Sequence, residues 1–244
     1  NVTANTPPTV GTYANTTVAT GGGIIVTPSA APADNCSIAG VTASAPGFTG
    51  SFSGNTSTGA VTISNAGPSG TYTVTVTVTD NCGATAQQTF TLTVNGAPTL
   101  GPIPLSIAQG TTTAVLANVT TVGDAETPLA NLNVQISANG TIFGSSATLN
   151  GVAVALILPP NGNGLVTANV TTTCAATNAT FTLKVTDAGG LSVTAPWTVT
   201  VTANTPPTLS YANQAFPAGT TPSFSPSAGP SDNGAVTNIA LQSI

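Results

Sequence analysis

A long internal repeat limits what this chain can fold into. Val-Thr-Ala-Asn-Thr-Pro-Pro-Thr-Val at 2–10 recurs as Val-Thr-Ala-Asn-Thr-Pro-Pro-Thr-Leu at 201–209. The match runs on: Tyr13-Ala14-Asn15 is answered by Tyr211-Ala212-Asn213, and Pro32-Ala33-Asp34-Asn35 by Pro230-Ser231-Asp232-Asn233. A weaker echo lies halfway. Val74-Thr-Val-Thr-Val-Thr-Asp80, with Gly83 and Phe90-Thr-Leu-Thr-Val94, aligns with Phe181-Thr-Leu-Lys-Val-Thr-Asp187, Gly190 and Trp197-Thr-Val-Thr-Val201. A fixed period marks repeated supersecondary units, and about 100 residues is the size of an immunoglobulin-type sandwich. The expected modules are 6–95 and 96–203, with the N-terminal part of a third at 204–244. Prolines at each linker fix φ and remove a ladder donor, so the joints are expected to be stiff and the modules to string into an extended rod.

Composition agrees with an all-β reading. Thr makes up about a fifth of the chain, and 26 Gly and 19 Pro supply turns. β-Branched Thr and Val suit a pleated surface, and short runs of them between turn residues read as strands. In Tyr72, Val74, Val76 and Val78 against Thr73, Thr75, Thr77 and Thr79, one face is apolar and the other hydroxyl, the period of a half-buried strand. This run is placed as the sixth strand of its sandwich. Tyr72 is then either a tyrosine corner or plain core packing. The mean hydropathy is +0.32, yet the longest apolar run, Val152 to Leu158, stops at Pro159-Pro160. A spanning helix needs about 20 apolar residues, so no transmembrane segment is expected. Disorder is disfavoured too, because 40% of residues are hydrophobic and the net charge is only −5. One basic side chain in the chain argues against nucleic acid as a partner.

Pro68-Ser-Gly-Thr-Tyr-Thr-Val-Thr-Val-Thr-Val-Thr-Asp-Asn-Cys-Gly83 and the Asn-Thr-Pro-Pro-Thr linkers resemble the tandem PKD-like and HYR-like immunoglobulin-fold repeats of large bacterial surface proteins. The resemblance covers nearly the whole chain. It implies tandem immunoglobulin-like antiparallel β-sandwiches in an extracellular setting. It says little about the task, since such modules serve as stalks, adhesins and spacers alike.

Of three cysteines, Cys36 precedes the third strand and Cys82 follows the sixth. In a sandwich those loops share one end, so the two are expected to meet as a disulfide, the alternative being two reduced thiols. Cys174 has no partner in its module and is expected to be a buried hydrophobe rather than an intermolecular crosslink. The five Asp fall in two recurring slots: Asp34, Asp124 and Asp232 before the third strand, Asp80 and Asp187 after the sixth. Glu126 joins Asp124, and both slots are expected to face the preceding linker with its Asn5, Asn95 or Asn204. This layout resembles the calcium sites between cadherin-type repeats, which implies Asn5, Asp34, Asp80, Asn95, Asp124, Glu126 and Asp187 as calcium ligands. The alternative is that Asp and Asn here simply form turns.

Catalysis needs titratable groups held together. The chain has no His, and Asp124 with Glu126, two residues apart on one loop, reads as a turn rather than a glycosidase pair. Lys184 lies out of phase with Leu183 and Val185 and is expected to point outward. An enzyme is therefore not expected. Sequons at Asn1, Asn15, Asn35, Asn55, Asn118, Asn139, Asn169 and Asn178 are near the number chance provides; with the exposed Thr and Ser they offer sites for glycans. A sheet surface with 3% charge lacks the usual defence against association. The expectation is the structural subunit or segment of an extracellular cell-surface or matrix filament, a homopolymer assembling through an incomplete third module. The other readings are an adhesin or carbohydrate-binding stalk and a spacer of a larger secreted protein.

Overall fold

The computed structural model describes residues 4–232, 236 and 238–240; Asn1 of the sequons, Asn233 of the repeat and Ile244 lie outside them. The chain divides into two compact units, one of residues 1–99 with 123–132 and 186–193, the other of 100–122, 133–185 and 194–244.

The first sandwich contains β1 (Thr16–Ala19), β2 (Ile24–Val26), β3 (Ile38–Ser44), β4 (Ser51–Gly54), β5 (Val61–Ser64), β6 (Gly70–Asp80) and β7 (Thr85–Asn95). One sheet has the order β1-β7-β6-β3 and the other β2-β5-β4. β1 runs parallel to β7, with Thr16 opposite Leu92, while β6 pairs antiparallel with β7 and with β3. The two-sheet order is that of an immunoglobulin-type sandwich, and β6 is its sixth strand. Alternation decides the faces. Val74, Val76 and Val78 are fully buried with Val61, Ile63, Leu92 and Val94. Thr71, Thr73 and Thr75 lie outward opposite Thr93, Thr91 and Thr89. Gly54 lets the sheets approach: a Cβ there would stand 2.1 Å from the Val41 carbonyl oxygen.

The second sandwich contains β8 (Thr99–Pro102), β9 (Leu105–Ala108), β10 (Val115–Gly123), a 3-10 turn at Leu129–Asn131, β11 (Asn133–Ser137), β12 (Ser146–Leu149), β13 (Val152–Ile157), β14 (Leu165–Thr172), β15 (Ala179–Thr186) and β16 (Ser192–Thr202). Its sheets run β12-β13-β14-β10-β8 and β11-β15-β16-β9. β12 and β13 are joined through Asn150 and Gly151, both at positive φ, with Leu149 opposite Val152. That is the two-residue hairpin in which Asn-Gly matches the strand twist. Trp197 is buried against Phe181, ring centroids 5.9 Å apart, and its indole N–H donates to the Ile103 carbonyl at 2.6 Å. Beyond it, β17 (Thr208–Ser210) and β18 (Ala228–Ser231) form a two-stranded antiparallel sheet. No helix among the described residues is long and apolar enough to cross a membrane.

Candidate functional site

The chemistry-bearing side chains gather in the loops before β3 and β11 and in the turns after β6 and β15. In β6 the inward phase that buries Val74, Val76 and Val78 continues to Asp80, which is therefore buried at the strand's end. Its Oδ1 accepts the backbone N–H groups of Cys82 (2.8 Å) and Ala84 (2.9 Å), and its Oδ2 accepts the Asn5 side-chain amide (2.9 Å). Burial pushes the Asp80 pKa up, but the Asn5 amide and the backbone N–H groups of Ala84, Cys82 and Gly83 outweigh it and hold the carboxyl below its ordinary value. β15 repeats the device. Phe181, Leu183 and Val185 are buried, and Asp187 follows in the same phase. Asp187 Oδ1 accepts Leu191 N–H (2.8 Å), and its Oδ2 accepts the buried Asn95 amide (2.8 Å).

The loops before β3 and β11 are also alike. Asp34 Oδ2 accepts Cys36 N–H at 2.8 Å; Asp124 Oδ1 accepts Glu126 N–H at 3.0 Å and Thr127 N–H at 2.6 Å. Glu126 Oε2 in turn accepts Gly96 N–H at 3.1 Å. The implied ligand set thus falls into two groups: Asn5, Asp34 and Asp80, and Asn95, Asp124, Glu126 and Asp187. In both, the carboxylates are engaged by N–H donors, and the two Asn amides turn their NH2 ends toward Asp. Asp34 Oδ1 and Asp124 Oδ2 are buried without a partner. Among the described residues no three His, Cys, Asp or Glu side chains are gathered in a way that could hold a metal ion. The bonds from Cys36, Cys82, Glu126 and Thr127 N–H are those of Asp-centred turns. Asn204 uses its backbone N–H on the Gln109 side-chain oxygen at 3.0 Å.

Cys36 and Cys82 meet as thiols, Sγ to Sγ 2.7 Å. Their shared hydrogen bond, then burial, then the charges of Cys82, Asp34 and Asp80 push the Cys36 pKa up to about 11. The expectation that Cys174 is buried fails: the residue is exposed. In the turn after β14, Ala176 N–H bonds the Thr173 carbonyl at 3.1 Å and Ala176 takes the buried position instead. Tyr72 O–H donates to the Pro68 carbonyl at 2.8 Å, four residues back, so it is a tyrosine corner. Lys184 stands outward on β15, 5.6 Å from the Phe143 ring centroid. The seven sequon Asn from Asn15 to Asn178 are all exposed.

Several contacts escaped the sequence reading. Tyr13 is buried on Phe90 (centroids 5.7 Å) and donates to the Gly59 carbonyl at 2.6 Å. Burial raises its pKa. Asn15 and Asn178 accept the N–H groups of Thr91 and Val201 (both 2.8 Å). The Tyr13-Ala-Asn15 repeat was the available signal, but a repeat alone does not name partners.

No protein-family profile and no curated protein matches the sequence. Among solved structures, the chain is similar to an I-band fragment of titin, at 13% identity and TM-score 0.54, covering 82% of this chain and 68% of that one. It is also similar to an E-to-A variant of the three-immunoglobulin-domain titin structure, at 15% identity and TM-score 0.50, covering 82% and 67%. These likenesses are in fold: tandem immunoglobulin-like β-sandwiches.

Proposed function

We propose that the chain is a non-catalytic structural segment of an extracellular cell-surface or matrix filament and that it associates with further copies of itself. The observation that carries this reading is the set of apolar side chains exposed between 208 and 232 and at Ile239. Tyr211 is 49% exposed, whereas Tyr13, its counterpart in the repeat, is 7% exposed beneath β7. Leu209, Phe216, Phe224 and Ile239 are exposed too; Phe224 and Ile239 line a hollow with Tyr211, and Phe216 packs on Phe224. Exposed apolar side chains of this kind mark an interaction site, and in the first sandwich Phe90 of β7 stacks on the corresponding tyrosine. The near absence of charge removes the repulsion that keeps sheet proteins apart. The exposed Thr rows and sequon Asn of the sandwiches support a glycan coat.

Sedimentation and negative-stain electron microscopy of the purified chain test the proposal. Concentration-dependent oligomers or filaments are expected, and Tyr211→Ser with Phe224→Ser should reduce them to short particles. Monodisperse rods at high concentration in the parent chain would refute it. Retention on insoluble polysaccharide, lost in the same double variant, would favour the adhesin reading instead.

A further inference from the structure

The end of the first sandwich carries a thiol pair that the filament reading does not use. Cys36 and Cys82 are held on both sides of their sulfur contact. Cys36 N–H is fixed by Asp34 Oδ2 and Cys82 N–H by Asp80 Oδ1, both at 2.8 Å. The neighbouring backbones are joined as well, Asn81 N–H donating to the Ser37 carbonyl at 2.9 Å, and the Asn81 side-chain amide bonds the Ser37 hydroxyl. The antiparallel register of β3 and β6 begins at Ile38 opposite Asp80, directly behind the pair. Two strands and two Asp-anchored turns thus hold the sulfurs in contact, 2.7 Å apart.

The repeat supplies a control within the same chain. Aligning Asp34 with Asp124 and Asp80 with Asp187 puts Glu126 where Cys36 stands and Gly189 where Cys82 stands. There the space is filled otherwise: Glu126 receives Gly96 N–H, and the Asn95 side chain lies against Gly189. The thiol pair is thus an addition to a scaffold whose second copy closes the same slot without sulfur.

We propose that Cys36 and Cys82 form an intramolecular disulfide that locks the loop before β3 to the turn after β6. The oxidant is a low-molecular-weight disulfide, RSSR. Cys82, the exposed member, gives its proton to solvent, and its thiolate attacks RSSR. A Cys82–SR mixed disulfide forms and RS⁻ leaves to take up a proton. Cys36 then loses its proton and attacks the Cys82 sulfur, forming the Cys36–Cys82 bond and expelling a second RS⁻. Two protein thiols lose two electrons in all, and one RSSR becomes two RSH. The order follows from the neighbours: Cys36 is opposed by Cys82, Asp34 and Asp80, and capping of Cys82 removes the first of these. This inference stands apart from the filament reading, since it concerns one sandwich of one chain.

The full chain is equilibrated with oxidised and reduced glutathione, alkylated, and mapped by mass spectrometry. A Cys36–Cys82 crosslinked peptide with alkylated Cys174 is expected. Alkylation of all three cysteines in the oxidised sample, or Cys174 paired with either partner, overturns the proposal. Reduction should lower the first sandwich's melting temperature by roughly 10–20 °C. The emission of Trp197, the only Trp in the chain and a core residue of the second sandwich, should stay unchanged. The double variant Cys36→Ser, Cys82→Ser should melt identically with and without reductant; should it fail to fold, the parent chain's response still decides. A crosslinked chain that melts at the same temperature after reduction would remove the locking role.

Discussion

Leu183→Ala tests whether the second sandwich is a cooperative core of its own. Leu183 is fully buried on β15, in a cluster with Phe181, Trp197, Val199 and Ile136. The change deletes three carbons, about 2.4 kcal/mol at roughly 0.8 kcal/mol per buried methylene. If half of a roughly 80 Å³ void stays open, the cavity adds about 1 kcal/mol at ~24 cal/mol per Å³. The total of about 3.4 kcal/mol falls within the range of Leu→Ala core changes, about 2.7–5 kcal/mol. At a urea dependence of about 1.5 kcal/mol/M the midpoint should drop by about 2 M. Trp197 fluorescence reads this transition. Pepsin-resolved hydrogen exchange of 72–94 reads the first core, none of whose residues lies in the Leu183 cluster. A midpoint shift below about 0.5 M, or exchange in 72–94 rising in parallel, would refute the reasoning.

Further tests address single contacts. Tyr72→Phe should cost about 0.5–1.5 kcal/mol by calorimetry, the net value of one hydrogen bond, because it removes only the bond to Pro68. Tyr13→Phe should cost more, about 1–3 kcal/mol, because its bond to Gly59 is buried and the carbonyl is left without its donor. Gly54→Ala should cost about 1–3 kcal/mol in urea unfolding, since the new Cβ meets backbone at 2.1 Å. The folded pKa of Asp80 lies below its unfolded value of about 3.9. Its contribution is therefore present above about pH 4 and lost as pH falls through the folded pKa. The melting temperature should hold from pH 7 to 5 and fall in stronger acid, and Asp80→Asn should blunt that fall while lowering stability at pH 7.

What was legible in the sequence followed periodicity. Val74, Val76 and Val78 alternate with Thr, and Trp197 and Phe90 keep the same phase; all lie inside. The same count carries to Asp80 and Asp187, which places two carboxylates in the inward phase at strand ends. That the slots after the sixth strand face Asn5 and Asn95 was legible from their recurrence, and Asn5 and Asn95 do donate to Asp80 and Asp187; the backbone N–H groups that fill the other carboxylate oxygens were not, because a turn's donors depend on its conformation. Cys174 misled for a related reason. Burial in an irregular turn depends on which residue turns inward, and a small apolar Ala176 won over the thiol. β12 went unread although Asn150-Gly151 marks its hairpin with β13, since its Ser and Ala are weak strand formers.

The two slots show how one scaffold tolerates different closures, and Gly189→Ala tests that argument. A Cβ at Gly189 would lie 2.4 Å from the Asn95 amide nitrogen and 2.9 Å from its Cγ. Asn95 is buried and donates to Asp187 Oδ2, so it has little room to yield. Displacing it leaves a buried carboxylate oxygen without its donor, at about 1–3 kcal/mol. At the equivalent position of the first sandwich the chain already carries a side chain, Cys82, with its Sγ directed at Cys36 rather than at Asn5. Cys82→Ala in the reduced protein should therefore cost less than about 0.5 kcal/mol, while Gly189→Ala costs several times more. Equal costs would mean that the Asn–Asp clamp, not the residue in the turn, sets the space at both ends, and the equivalence drawn from the repeat would fail.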